Sequence, residues 1–204
     1  MEYKVDVAGT EYFDADIRSA NLERPLFDDL GIGNACEAMF EMQFRPKSEI
    51  PIMAKITPYA LVDSLWEQLG VFYIDERSTT ATGIMTIIAY DSMLMADVVW
   101  TPNQSLEFPM PMTQAVSIIS GLMGVSVDSR TVLNASYEID YPANNYTLRD
   151  VLKYIAAAHG GNWIITRQNQ LLLVPLVGSL PEETNYLVTE TGDAITFAGV
   201  RILV

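Results

Sequence analysis

Three carboxylates, Asp75, Glu76 and Asp91, fall within one 26-residue stretch, LGVFYIDERSTTATGIMTIIAYDSML, running from Leu69 to Leu94. Two acids facing one cleft about 5–9.5 Å apart are the machinery of glycoside hydrolysis. The stretch reads as two strands and a turn, and alternation along a strand sends the adjacent Asp75 and Glu76 to opposite faces. Asp75 meets Asp91 only at one end of the hairpin, and only in a register that permits it. The strands also lack the aromatic platform of a sugar site. No catalytic residue is assigned; these acids are expected at a solvated edge or in interface ion pairs.

The other chemistry-bearing residues are sparse. His159, the single histidine, follows three alanines and precedes Gly160-Gly161, so it belongs in a last helical turn, where it interacts with the negative end of the helix dipole. No serine stands in a Gly-x-Ser-x-Gly elbow. Cys36 lies on the apolar face of a strand and is expected to be a small buried hydrophobe. One cysteine rules out an intrachain disulfide, and with one histidine it leaves no zinc set. No cofactor or metal ligand is assigned. Gly31-Ile-Gly33-Asn34 precedes a strand rather than a helix, so it reads as a turn and not a phosphate loop. Trp66, Trp100 and Trp163 raise a carbohydrate- or receptor-binding reading. It requires at least two of them exposed in one groove, and Trp163 is expected to be buried. Met93, Met95, Met110, Met112 and Met123 are core fillers first and an adaptable contact surface second.

The elements that position these residues follow from composition and pattern. The chain has 204 residues, 50% hydrophobic and 19% charged, with a formal charge of −14. That length makes one large or two small domains with ample core. The acidity argues against free nucleic acid as a partner, since phosphates demand a basic face. The first hundred residues hold 17 acids against 7 bases and are the more acidic half. The N-terminus has no apolar signal region, and no run reaches the roughly 18 apolar residues of a membrane span. The chain is expected to be made in the cytoplasm.

Residues 1–98 read as β. Tyr3 to Val7 alternates, and Asn34 to Phe44 is the clearest strand, with Cys36, Ala38, Phe40, Met42 and Phe44 on one face. Ala54 to Leu61 follows, with Pro58 demoting part of it to an edge. Gly70 to Arg77 places Val71, Tyr73 and Asp75 on one face and Phe72, Ile74 and Glu76 on the other. Ile84 to Tyr90 returns, and Asp91 caps a short helical turn over Ser92 to Ala96. Short strands with such turns predict a small barrel or sandwich.

The pattern changes at the proline-rich Pro102 to Met112. Thr113 is expected to cap a helix over Gln114 to Met123 that stops at Gly124. Thr147 and Asp150 form an Asp version of the capping box, ahead of a stripe of Leu148, Val151, Leu152, Ile155 and Ala156. Asn162 to Arg167 and Leu171 to Pro175 make a hairpin. The fold class expected is therefore mainly β with an α+β part: a barrel over 1–98, a two-helix plus hairpin domain over 99–185, and a strand-like piece over 186–204. That last piece either begins a second barrel or closes the first, and its unpartnered pattern near Ile195 to Val204 predicts that the natural protein continues.

The order of these phrases resembles a family. GIGNACEAMFEMQF (31–44), IPIMAKI (50–56), LGVFYID (69–75) and GIMTIIAYDSML (83–94), then LRDVL (148–152), IAAAHGGNWII (155–165) and LLLVP (171–175), look like the N-terminal part of a phage or prophage tail hub protein. The resemblance covers roughly residues 30–175, and its motifs are structural phrases. Such hubs are similar to the hub of contractile-tail baseplates and to the base of type VI secretion spikes. The resemblance implies a homotrimer whose two barrels per subunit form a pseudo-six-fold ring joining the tail tube to the tip. It also implies a place in the virion tail, and contacts with the distal tail protein, the tape-measure protein and tip or fibre proteins. Interface candidates are Asp75, Glu76 and Arg77 in the hairpin and Phe108, Met110 and Met112 in the linker. The expectation is a structural, non-enzymatic protein; the alternatives are a cell-wall hydrolase and a carbohydrate- or receptor-binding module of a tail.

Overall fold

A computed structural model describes residues 2–27, 31–101, 106–141 and 145–176, together with the backbone of residues 196–197 and 200–201. The first half is an antiparallel sheet rolled into a nearly closed barrel. Its strands are β1 (Tyr3–Val7), β2 (Thr10–Phe13), β3 (Ile17–Glu23), β4 (Met39–Phe44), β5 (Lys55–Val62), β6 (Leu65–Gln68), β7 (Phe72–Thr79) and β8 (Met85–Asp91). They pair in the order β2-β1-β5-β7-β8-β4-β3, with β6 attached to β5.

Alternation decides which side chains fill the barrel. Phe40, Met42 and Phe44 of β4, Ile87 and Ala89 of β8 and Phe72 and Ile74 of β7 point inward and are buried. Each large apolar side chain removed from water contributes about 1.5–3 kcal/mol. Tyr12 meets Phe44 edge to face at 4.8 Å, while its hydroxyl accepts the Lys47 N–H at 3.0 Å. Pro58 does not make an edge as expected: β5 lies between β1 and the β7/β6 side, and Pro58 falls where that second neighbour changes from β7 to β6, a place where a missing N–H breaks no ladder.

The expected single strand from Asn34 to Phe44 is two segments. Only Met39–Phe44 belongs to the barrel. Upstream, Ala35 makes a parallel bridge to Trp163: Gly33 N–H donates to Gly161 O, Trp163 N–H to Asn34 O and Cys36 N–H to Trp163 O. Inward alternation persists through Cys36 and Ala38, both buried, so the pattern predicted burial correctly while the hydrogen-bonding partner changed.

A 3-10 helix (Ser92–Ala96) leads out of β8, capped by the Asp91 side chain accepting from Met93 N–H, as the sequence predicts. The second half follows as β9 (Met110–Pro111), α1 (Met112–Met123), β10 (Ser126–Val127), β11 (Glu138–Ile139), α2 (Leu148–Ala158), β12 (Gly161–Ile165) and β13 (Gln170–Pro175). Helix α1 starts two residues before the expected Gln114, with Pro111 at its N-cap and Thr113 inside the first turn. The β9–β11 ladder supplies what a side-chain cap would, because Met112 N–H donates to Tyr137 O at 2.9 Å. Its C-terminus is the left-handed Gly124, as expected. Helix α2 has the full Thr147–Asp150 capping box. Strands β10, β13 and β12 make a three-stranded sheet, and the two helices bury their apolar stripes on a second core that includes Trp100, Trp163, Met110 and Met112. Near the terminus, β14 (Thr196–Phe197) pairs with β15 (Val200–Arg201); the rest of the expected 186–204 strand lies outside the described residues.

Candidate assembly surface

The β7–β8 hairpin carries the acids that opened the question, and it contains a bulge. Ile74 faces Ala89 and Glu76 faces Ile88, leaving Asp75 as the extra residue. A bulge restarts the alternation. Glu76 therefore joins the outward face with Tyr73 rather than the inward face with Phe72 and Ile74, which corrects the expected split of Asp75 and Glu76. Arg77 falls opposite the inward Ile87 and donates to the Ile50 carbonyl. Asp75, Glu76 and Arg77 are all exposed. Burial, and then the nearby carboxylates of Glu37, Asp75 and Glu76, push the Tyr90 hydroxyl above its ordinary value, so this outer face is acidic.

Asp91 is elsewhere. It sits opposite Phe72 at the other end of the hairpin, 2% exposed, with its carboxylate accepting from Ala38 N–H and Met93 N–H, each at 2.9 Å. Burial pushes it up to about 7 against the two N–H bonds and the Arg24 charge. Asp75 and Asp91 thus share no cleft. His159 caps α2 with Nδ1 on Ile155 O at 2.8 Å and Nε2 accepting Asn134 N–H at 2.9 Å. Both ring nitrogens are engaged in structure, which matches the helix-end role. Trp100 and Trp163 are 2% and 0% exposed and only Trp66, at 36%, reaches the surface, so the tryptophans form no shared binding groove. Among the described residues no group of three or more His, Cys, Asp or Glu is placed to hold a metal ion. No helix of the described residues is long and apolar enough to cross a membrane.

In the linker, Met110 and Met112 are 0% and 3% exposed, and Phe108 is half-buried against the same second core. Their side chains hold the α+β part together and do not present themselves at the surface of this chain. Apolar surface shows up instead on the β5–β6 hairpin. Asp63 and Ser64 both take positive φ at its tip, Leu65 is 71% exposed, and Lys4 lies over the rings of both Tyr59 and Trp66. Alongside, the barrel does not close. The outer edge of β3 and the β1–β5 pair flank a groove of about 500 Å³ that includes Tyr3, Ile17, Leu22 and Tyr59. An uncovered β edge beside apolar surface is a template for pairing with another chain.

Sequence patterns did not reveal the residues that fasten the barrel to the α+β part. Arg149, in the first turn of α2, bonds both oxygens of Asp97, Glu37 Oε2 at 2.7 Å and the carbonyls of Ala35 and Met93. Burial opposes its charge, but the bonds to Asp97 and Glu37 outweigh that and hold the guanidinium above its usual range. The buried Asn162 takes the Asn34 N–H on Oδ1 and donates to Leu26 O and Gly31 O. The one legible signal was Arg149 in a capping-box turn, where a base opposes the helix dipole and so needs another reason to be there.

No family model and no curated protein matches this chain. Solved structures do. The 43 kDa tail protein of prophage MuSo2 from Shewanella oneidensis matches with a TM-score of 0.64 at 15% identity, over 96% of this chain and 61% of that one. A tail protein from Neisseria meningitidis MC58 matches at 0.58 and 14% identity, over 94% of this chain and 55% of that one. The prophage tail protein gp18 from Listeria monocytogenes EGD-e matches at 0.55 and 12% identity, over 93% and 55%. This chain spans a little over half the length of these neighbours. Its fold, a nearly closed barrel followed by two helices and a small sheet, is the fold shared by these phage and prophage tail proteins.

Proposed function

We propose that this chain is a structural subunit of a phage or prophage tail, placed at the hub of the tip or baseplate and acting through assembly contacts rather than catalysis. The observation that carries the reading is the match of nearly the whole chain to tail proteins of three different sources. The surface chemistry supports it. The barrel offers an open edge, a hairpin with exposed Leu65, and a charged hairpin at Asp75, Glu76 and Arg77, while the buried Asp91 shares no cleft with the exposed Asp75. A ring of identical subunits needs complementary edges and charged rims of this kind.

In this reading the full-length protein is a homotrimer in the virion tail. It contacts the distal tail protein and the tape-measure protein on one side and tip or fibre proteins on the other. The −14 charge lets a polyanionic genome pass without adhering. The test is mass spectrometry of purified particles with cryo-electron microscopy of the tail tip. Density for this barrel in a three-fold ring below the tube supports the proposal. Its absence from intact tails, or cleavage of purified peptidoglycan by the chain, overturns it.

A further inference from the structure

Three tyrosines from separate segments converge on one groove of the α+β part. Tyr141 follows β11, Tyr146 precedes the cap of α2 and Tyr154 lies one turn beyond Asp150 on α2; they are 80%, 58% and 60% exposed. With Asp140 and Asp150 they line a groove of about 320 Å³ floored by Ile139 and Val151. Exposed aromatics scattered singly need no explanation, but three around one concavity mark a binding surface.

Backbone pairing holds the floor at Ile139 and the Tyr146 side of the groove in place. Tyr146 O accepts the Trp100 N–H at 2.8 Å, Val99 bridges Thr147, and Ile139 is paired with Met110. Asp150 and Tyr154 share a helical face by their spacing of four. Both bonds that Asp150 receives from Thr147 fall on Oδ2, and they hold its carboxyl below the ordinary range, so it is charged at neutral pH. Among the described residues, none that lines the groove is basic.

We infer that this groove binds an arginine side chain presented by a basic segment of a partner protein, with the guanidinium stacked on the tyrosine rings and paired with Asp140 and Asp150. A planar, weakly hydrated cation suits both ring faces and carboxylates, and the surplus of negative charge sets it apart from a saccharide, which would stack on the same rings without needing the acids. The site is separate from the barrel edges and does not depend on the assembly reading.

The test is a titration of the isotope-labelled full chain, followed by amide NMR, with an acetylated and amidated Gly-Arg-Gly peptide. The same peptides carrying lysine and the neutral isostere citrulline serve as controls. The expected result is a shift of the Tyr146, Val151 and Tyr154 resonances that is largest with arginine, smaller with lysine and lost with citrulline. Tyr154→Ala, on an exposed site that leaves the spectrum dispersed, should weaken the response roughly two- to fivefold, and D140N should weaken it further at low salt. Equal response to citrulline, an undiminished response in the Tyr141→Ala/Tyr154→Ala double variant, or a response to N-acetylglucosamine oligomers in place of the arginine peptide overturns the inference.

Discussion

Arg149 lies in two-point contact with Asp97, Nε to Oδ1 at 2.5 Å and Nη2 to Oδ2 at 2.7 Å. This fork joins the first turn of α2 to the residue that ends the 3-10 helix leaving the barrel, and the same Nη2 reaches back to Glu37 at 2.7 Å. One side chain thus ties the chain returning to the barrel ahead of β4, the chain leaving it after β8 and the helix beyond.

Arg149→Ala is expected to cost about 2–4 kcal/mol, because it leaves Glu37, Asp97 and two carbonyls without their partner at a half-buried site. Arg149→Lys keeps the charge but loses the fork, and should lose at least about half as much. The shift in urea midpoint measures both. Equal stability of Arg149→Ala and the parent would show that the network is decoration.

Asp91 gives a pH dependence with a definite sign. Its folded-state value of about 7 stands above the ordinary 3.8, so folding takes up a proton between those two values. Stability therefore falls as pH rises from about 4 to about 7, by an amount on the order of 4 kcal/mol at most, and is level above that. Asp16, Asp128 and Asp150 are shifted down by their bonds to Lys47, Arg130 and Thr147; their contribution is lost at more acid pH, below the ordinary carboxylate value. D91N should remove the slope between pH 5 and 7. It also forfeits one of the two N–H bonds, so its absolute stability near pH 5 drops by about 1–2 kcal/mol. An unchanged slope in D91N would assign the pH response to another group.

Gly161 shows how close the second hairpin is packed. A Cβ there would come within 2.6 Å of the Val174 carbonyl oxygen and 3.1 Å of Leu173 Cδ1. Backbone cannot yield as a side-chain tip does, so Gly161→Ala should destabilise by about 1–3 kcal/mol. Gly83, where nothing stands within 4 Å but φ is +77, should lose only about 1 kcal/mol on the same change, through its left-handed backbone. Thermal melts of the two variants separate packing from backbone strain.

The barrel and both helices were legible because each rests on local periodicity: the inward row of β4, the Thr147–Asp150 box and the left-handed Gly124 all appear as sequence signals within a few residues. What escaped detection depends on distant residues meeting. Alternation could not foresee that Asn34 to Cys36 would pair with Trp163, nor that an extra residue at Asp75 would turn Glu76 outward. By sequence the linker methionines are core fillers first, which their burial bears out, and interface candidates second. Composition alone cannot tell a core methionine from a contact methionine, and Met110 and Met112 are held inside by α1 and the β9–β11 ladder.

The exposed acids midway along the charged hairpin separate folding from assembly. Asp75 and Glu76 are solvent-facing on a bulged strand, and surface charges of this kind change stability by no more than about 0.5 kcal/mol. Reversing both, as D75K and E76K together, should leave the urea midpoint of the isolated chain nearly unchanged. If this face pairs with a basic rim of a neighbouring subunit, the same variant puts like charges across the contact, which costs several kcal/mol. Particles made with it should then contain tails that lack this subunit, read by quantitative mass spectrometry of the purified virions. Normal incorporation would remove Asp75 and Glu76 from the interface and shift attention to the open edge of β3 and to Leu65. A lowered midpoint would instead make the acids part of the fold, contrary to their exposure.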